Sequence, residues 1–165
     1  MAEITLGENT VHTVGELPAK GSAAPEFELV ARDLSTVTLA DSAGKRRIVN
    51  IFPSIDTGVC ARSAKTFHQR AAELKDVVVL NVSLDLPFAH ERFCAAEGIE
   101  GAQNLSSFRS SFGDDWGVRM TDGALAGLLS RAVVVLDGEG RVLYTEQVPS
   151  IGQDPDYDAA LAAAG

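Results

Sequence analysis

The most nucleophilic side chains in this sequence are two thiols, Cys60 and Cys94. They lie too far apart for a CxxC redox or zinc motif. With His12, His68 and His90, the only histidines, they make a poor zinc set, and no metal site is expected. Two readings follow. The cysteines pack as small hydrophobes, or one of them is a nucleophile whose reactivity depends on its thiolate fraction. An ordinary cysteine, with a pKa of about 8.5, is only a few per cent thiolate at neutral pH. The second reading therefore needs a local device that favours the anion.

The segment around Cys60 supplies one. It reads Ile51-Phe52-Pro53-Ser54-Ile55-Asp56-Thr57-Gly58-Val59-Cys60-Ala61. An apolar run ends at Phe52, and Pro53 stops it because proline offers no ladder donor. Asp56 and Thr57 are good N-cap residues. A helix starting near Gly58 puts Cys60 in its first turn, where unpaired N–H groups and the positive end of the helix dipole favour a thiolate. Cys60, Ala64, Phe67, Ala71 and Leu74 recur at helical spacing, so Cys60 faces the core side. Membership of that stripe is the plain alternative. A proline-bounded strand-to-helix turn, however, is where α/β folds commonly carry sites.

The elements that must position these thiols are legible as apolar runs. Ile48 to Phe52, Val77 to Val82 and Ala132 to Leu136 are β-branched and nearly continuous, as strands buried on both faces are. A helix over about Val59 to Leu74 between the first two implies a parallel pair with a right-handed crossover. Asp137-Gly138-Glu139-Gly140 before Arg141-Val142-Leu143-Tyr144 adds an antiparallel strand. Phe27 to Val30 and Val37 to Leu39 are further strand candidates. Residues 3 to 14, alternating around Gly7-Glu8-Asn9, predict an N-terminal hairpin. Pro155 to Ala164 reads as a last helix. Cys94 falls on a helix from Pro87 to Glu97, with proline at its first position. There Leu86, Ala89, Phe93 and Ala96 form the apolar stripe and put Cys94 at the edge of the polar face, within reach of other groups. The fold class is α/β: a mixed central sheet with helices on both faces.

Bulk properties bound the function. A chain of 165 residues with 45% apolar and 22% charged residues suits one soluble domain, residues 1–165, with 1–15 as a hairpin extension. A formal net charge of −9 disfavours nucleic acid and anionic membranes as partners. No apolar run approaches the roughly 18 residues of a membrane span. The first residues lack a signal-peptide pattern, so a cytoplasmic location is expected, where thiols are kept reduced.

Pro53-x-x-x-Thr57-x-x-Cys60 resembles the active-site pattern of the peroxiredoxins, and the fuller string from Phe52 to Cys60 resembles their thiol peroxidase branch. So do Thr13-Val14-Gly15, Ala24-Pro25-x-Phe27, Asp85-Leu86-Pro87-Phe88-Ala89, Arg92-Phe93-Cys94, Gly127 to Ala132 and Pro155 to Leu161. Nearly the whole chain is covered. The resemblance implies a thioredoxin-like fold and a peroxidase that uses no metal, flavin or other cofactor. Cys60 attacks a hydrogen, alkyl or lipid hydroperoxide and becomes a sulfenic acid. Cys94 resolves it to an intramolecular disulfide, and a thioredoxin-type dithiol reduces that. Thr57 and Arg131 are then the hydrogen-bond donors to the peroxide, and Pro53 shields the sulfur. An arginine beside a buried strand needs a partner; a thiolate would be one, a carboxylate at a solvated strand end another. A homodimer is also implied, and the apolar loop from Ala124 to Leu129 is a candidate interface. Since a disulfide needs Cα atoms within about 7 Å, local unwinding around one or both cysteines is expected in each turnover.

Two other readings compete. In one the same chemistry makes a peroxide sensor that relays oxidation to a partner protein. In the other the chain is a non-catalytic thioredoxin-fold binding module. His68, two turns beyond Cys60, is too far away to act as its base. It and His90 are expected to be solvated helix residues. Trp116 and the Asp114-Asp115 pair are expected to be structural or exposed.

Overall fold

The computed structural model describes residues 1–99 and 103–165. β1 (Glu3–Leu6) and β2 (Asn9–His12) form the N-terminal hairpin. Gly7 takes φ 62° at its turn, a conformation that costs glycine little. Among the described residues the main sheet has seven strands in the order β4-β3-β7-β6-β5-β8-β9. These are β3 (Glu28–Val30), β4 (Thr36–Thr38), β5 (Arg46–Ile51), β6 (Val77–Ser83), β7 (Gln103–Ser106), β8 (Ala132–Leu136) and β9 (Val142–Gln147). The helices are α1 (Gly58–Ala71), α2 (Pro87–Glu97), α3 (Phe112–Asp115) and α4 (Tyr157–Ala164).

The β-branched runs are the central strands. β5 pairs in parallel with β6, and β6 with β7, while β8 joins β5 antiparallel. Alternation along β5 divides the core. Ile48 packs with Val133 and Val135 against Phe67 and Ala71 of α1 and Ala160 and Leu161 of α4. Val49 and Ile51 face the other way, onto Phe27, Phe112, Trp116 and Leu129. Phe112 and Trp116 stack there with ring centroids 4.8 Å apart, so Trp116 is structural. The helices are unevenly shared. α1, α2 and α4 lie on one face, and the four-residue α3 with long connecting segments covers the other. β7 and α3 are absent from the sequence reading. Gln103-Asn104-Leu105-Ser106 carries no apolar run, and its place in the sheet comes from pairing with β6 and β3.

α2 corrects two expectations. Its buried face is Pro87, His90, Phe93 and Cys94, whereas Leu86 and Phe88 are 50% and 67% exposed. Apolar side chains surround this helix, so its stripe carried little direction. Cys94 is therefore buried rather than at a reachable edge. His90 is likewise wholly buried instead of solvated. Among the described residues no helix is long and apolar enough to cross a membrane.

Candidate active site

β5 ends at Ile51, and Phe52 and Pro53 carry the chain, still buried, out of the sheet. The turn from Ser54 to Thr57 is built on one carboxylate. Asp85, just past the end of β6, accepts from the Ile55 amide at 2.7 Å, the Ser54 hydroxyl at 2.8 Å and the Ser83 hydroxyl at 2.6 Å. Thr57 is the N-cap of α1 with extended backbone, φ −100° and ψ 150°. Its hydroxyl donates to the Ser54 carbonyl at 3.1 Å, away from the sulfur. Cys60 is thus the third residue of α1, and the amides of Gly58, Val59 and Cys60 have no acceptor within the helix.

Arg131 comes to this sulfur from the edge of β8. It is 1% exposed. Its Nε donates to the Ile151 carbonyl at 2.8 Å and its Nη2 to Cys60 Sγ at 3.3 Å. Nη1 has no partner among the described residues. The segment carrying Ile151 is held in turn by the hairpin: the Thr5 amide donates to the Pro149 carbonyl at 2.8 Å, and the Ile151 amide to the Thr5 carbonyl at 2.9 Å. A second buried arginine provides a contrast. Arg47 donates to Ser42 Oγ and to the Leu39 and Asp137 carbonyls with all three nitrogens, so none of its nitrogens is left without a partner as Nη1 of Arg131 is.

Cys60 itself is buried, in one apolar cluster with Phe52, Ile55, Ala64, Phe93 and Cys94. A groove of about 670 Å³ runs past its neighbours Pro53, Thr57, Gly58, Val59 and Arg131, and its far wall is Leu6, Leu125 and Ile151. The structure therefore brings Pro53, Thr57, Cys60 and Arg131 to one place. Cys94 sits behind them, and both thiols are free. Cys94 Sγ accepts from Asn104 Nδ2 at 3.2 Å. Burial pushes its thiol pKa up, and nearby Arg32 opposes that. Arg32 is itself paired with Glu91 at 3.3 Å.

Sequence reasoning missed Asp85 as the organiser of the turn, reading it only as a residue before α2. It also missed His90, whose Nε2 lies 2.9 Å from Ser83 Oγ, on the hydroxyl that Asp85 accepts from. His90 Nδ1 has no partner among the described residues, and burial holds its pKa below the ordinary value. His68 is half-buried on α1. A usable signal did exist for the asparagines: Asn50 and Asn81 are the only polar residues within two runs of β-branched apolar ones.

The Redoxin family model matches residues 19–161. The thiol peroxidase of Mycobacterium tuberculosis is 55% identical over 165 residues, covering 100% of this chain and 99% of its own. That of Corynebacterium glutamicum is 49% identical over 163 residues, 99% of each chain. A crystal structure of a peroxiredoxin-like protein from Aquifex aeolicus superimposes with a TM-score of 0.92 at 35% identity, over 99% of this chain and 96% of that one. The chain belongs to the Redoxin family, among its thiol peroxidases.

Proposed function

We propose that this protein is a thiol-dependent peroxidase of the cytosol that reduces hydroperoxides with Cys60. The observation that carries the reading is the Arg131 guanidinium, buried, fixed by Ile151 and bonded to Cys60 Sγ through Nη2, with Nη1 still to be satisfied. A buried cation fixed beside the attacking sulfur stabilises charge as it passes from sulfur to oxygen, and a spare N–H next to it can bind a peroxide oxygen. The thiolate attacks the nearer oxygen of ROOH, the O–O bond breaks, and RO⁻ leaves and takes a proton to become ROH. Cys60 is left as a sulfenic acid. Arg131 and the first-turn amides of α1 stabilise the charge that develops on both oxygens. Pro53 keeps bulk water off the sulfur. Thr57 would join them by turning its hydroxyl from Ser54 toward the groove.

Cys94 completes the cycle. Its sulfur attacks the sulfenyl sulfur, the S–O bond breaks, and water leaves. A thioredoxin-type dithiol then reduces the disulfide. Because α2 buries Cys94, this step needs local unwinding of α2. We place the whole chain in one working unit, which acts as a homodimer. Peroxide consumption coupled to a thioredoxin system tests the reading. Wild type turns over, Cys60→Ser does not react, and Cys94→Ser completes one turnover and stalls. Residual turnover in Cys60→Ser overturns it. A stable mixed disulfide with a partner protein and no turnover would favour the sensor instead.

A further inference from the structure

Three amides interrupt the apolar centre of the sheet. Asn50 in β5 stands opposite Asn81 in β6, and Asn81 opposite Asn104 in β7. None is more than 1% exposed. They occupy the face that carries α1 and α2, where a buried amide is unfavourable unless it is hydrogen-bonded. Here the bonds run in a row. Ser63 of α1 donates its hydroxyl to the Cys60 carbonyl at 2.9 Å. Asn50 Nδ2 donates to Ser63 Oγ at 3.2 Å and to Asn81 Oδ1 at 3.0 Å. Asn81 Nδ2 donates to Asn104 Oδ1 at 2.9 Å, and Asn104 Nδ2 to Cys94 Sγ at 3.2 Å. The row begins on the peptide of one cysteine and ends on the sulfur of the other. A sheet of this kind holds together with valine at such positions, as β8 does with Val133, Val134 and Val135.

We propose that Asn50, Asn81 and Asn104 are positioning residues for the disulfide step, a row of amides that holds the two cysteine helices in their dithiol arrangement. The inference rests on the reading of Cys60 and Cys94 as the reacting pair. In that step the Cys94 sulfur attacks the Cys60 sulfenyl sulfur, an S–S bond forms, the S–O bond breaks, and hydroxide leaves as water with the Cys94 proton. Cys94 must let go of Asn104 to do so. A bond made in the dithiol and lost in the disulfide stabilises the reduced form. It makes the disulfide easier to reduce, and it lengthens the life of the sulfenic acid by delaying closure.

The test compares wild type, Asn104→Leu and the double variant Asn81→Leu/Asn104→Leu. The double variant removes the amide that Asn104→Leu would strand on Asn81 and leaves Asn50 Nδ2 with Ser63 Oγ as its acceptor, so it remains informative if the single variant folds poorly. Each is equilibrated in a dithiothreitol redox buffer, and the sulfenic acid lifetime is followed after one equivalent of peroxide by trapping and mass spectrometry. The variants should favour the disulfide about tenfold more than wild type, a shift of about 30 mV toward more negative potential. Their sulfenic acid should be shorter-lived, while the first oxidation of Cys60 keeps its rate. A purely structural role would lower the melting temperature of both redox forms and leave the equilibrium where it is, and that result overturns the proposal. So does a longer-lived sulfenic acid in the variants. If wild type forms no Cys60–Cys94 disulfide under peroxide, the pairing beneath the proposal has failed, and this is seen before any variant is compared.

Discussion

Arg131 holds Cys60 Sγ at 3.3 Å with one nitrogen while the Ile151 carbonyl holds another at 2.8 Å. The guanidinium plane is set by the backbone, so the unpaired Nη1 has a fixed direction beside the sulfur. Lysine offers a charge there but no planar fork. Arg131→Lys should therefore still fold and yet lose much of its reaction with peroxide. Removal of one such preorganised donor typically costs about 10²–10³ in rate, and stopped-flow oxidation of the reduced enzyme reads it. Arg47→Met is the control: it should lower the melting temperature and leave the rate of the surviving folded protein alone.

Asp85 bonds the turn before α1 at two points, the Ile55 amide and the Ser54 hydroxyl. Asp85→Ala leaves that amide without an acceptor in a partly buried place, at a cost of about 1–3 kcal/mol, visible in urea unfolding. The turn sets where α1 begins and hence where Cys60 stands. A displacement of about 1 Å at a reacting centre can lower the rate roughly 10²-fold. Oxidation of Cys60 should slow well beyond what the stability loss explains. A normal rate in folded Asp85→Ala would remove Asp85 from the site.

His90 makes α2 sensitive to acid. Burial lowers its pKa, Asp85 and Asp56 act to raise it, and Arg32 lowers it further; burial prevails. Below about pH 6.5 the unfolded chain takes up a proton that the folded one refuses. This contribution to stability is therefore complete above about 6.5 and falls as the pH drops toward the folded value, by at most about 1.4 kcal/mol per unit. His12 has the opposite sign. Its hydrogen bond to Asp122 raises its pKa, so its contribution is present at low pH and is lost as the pH rises through the folded value. The difference between wild type and His90→Asn cancels His12. Wild-type melting temperature should fall more steeply than that of His90→Asn between pH 6.5 and 5, and equal slopes would contradict the assignment.

The sequence was informative where one local rule decided the outcome. The three β-branched runs, the proline stop at Pro53 and the start of α1 near Gly58 each follow from a few neighbouring residues, and they place Cys60. Arg131 was found through resemblance, because only the sheet order brings the edge of β8 beside the start of α1. α2 was misjudged in facing: Phe88, Ala89, Phe93, Ala95 and Ala96 lie all around it, and the choice of buried side was made by Asn104 and Ser83 on the strands below. β7 could not be read at all, since its four residues become a strand through partners far away in the chain. The apolar runs mark Asn50 and Asn81 as polar interruptions, but the bonds of Asp85 and of the asparagine row are contacts between elements, set by register, and no local pattern names their partners.

The groove wall opposite Cys60 predicts how substrates are distinguished. Leu6 comes from the hairpin, and Leu125 from the loop between α3 and β8. A short bond between His12 Nδ1 and Asp122, 2.7 Å, ties the hairpin to that loop. Both leucines are half-buried, so an alkyl chain in the groove could cover what remains of them. Hydrogen peroxide has no such chain and reaches only the polar end at Arg131. Leu125→Ser and Leu6→Ser should therefore raise KM for a bulky organic hydroperoxide, such as cumene hydroperoxide, about tenfold each, the worth of roughly two buried methylenes. The rate with hydrogen peroxide should stay within about twofold, because no apolar contact is lost in its transition state. Equal losses with both substrates would mean that the leucines hold the site together rather than bind the chain, and unchanged KM for both would place the alkyl group elsewhere.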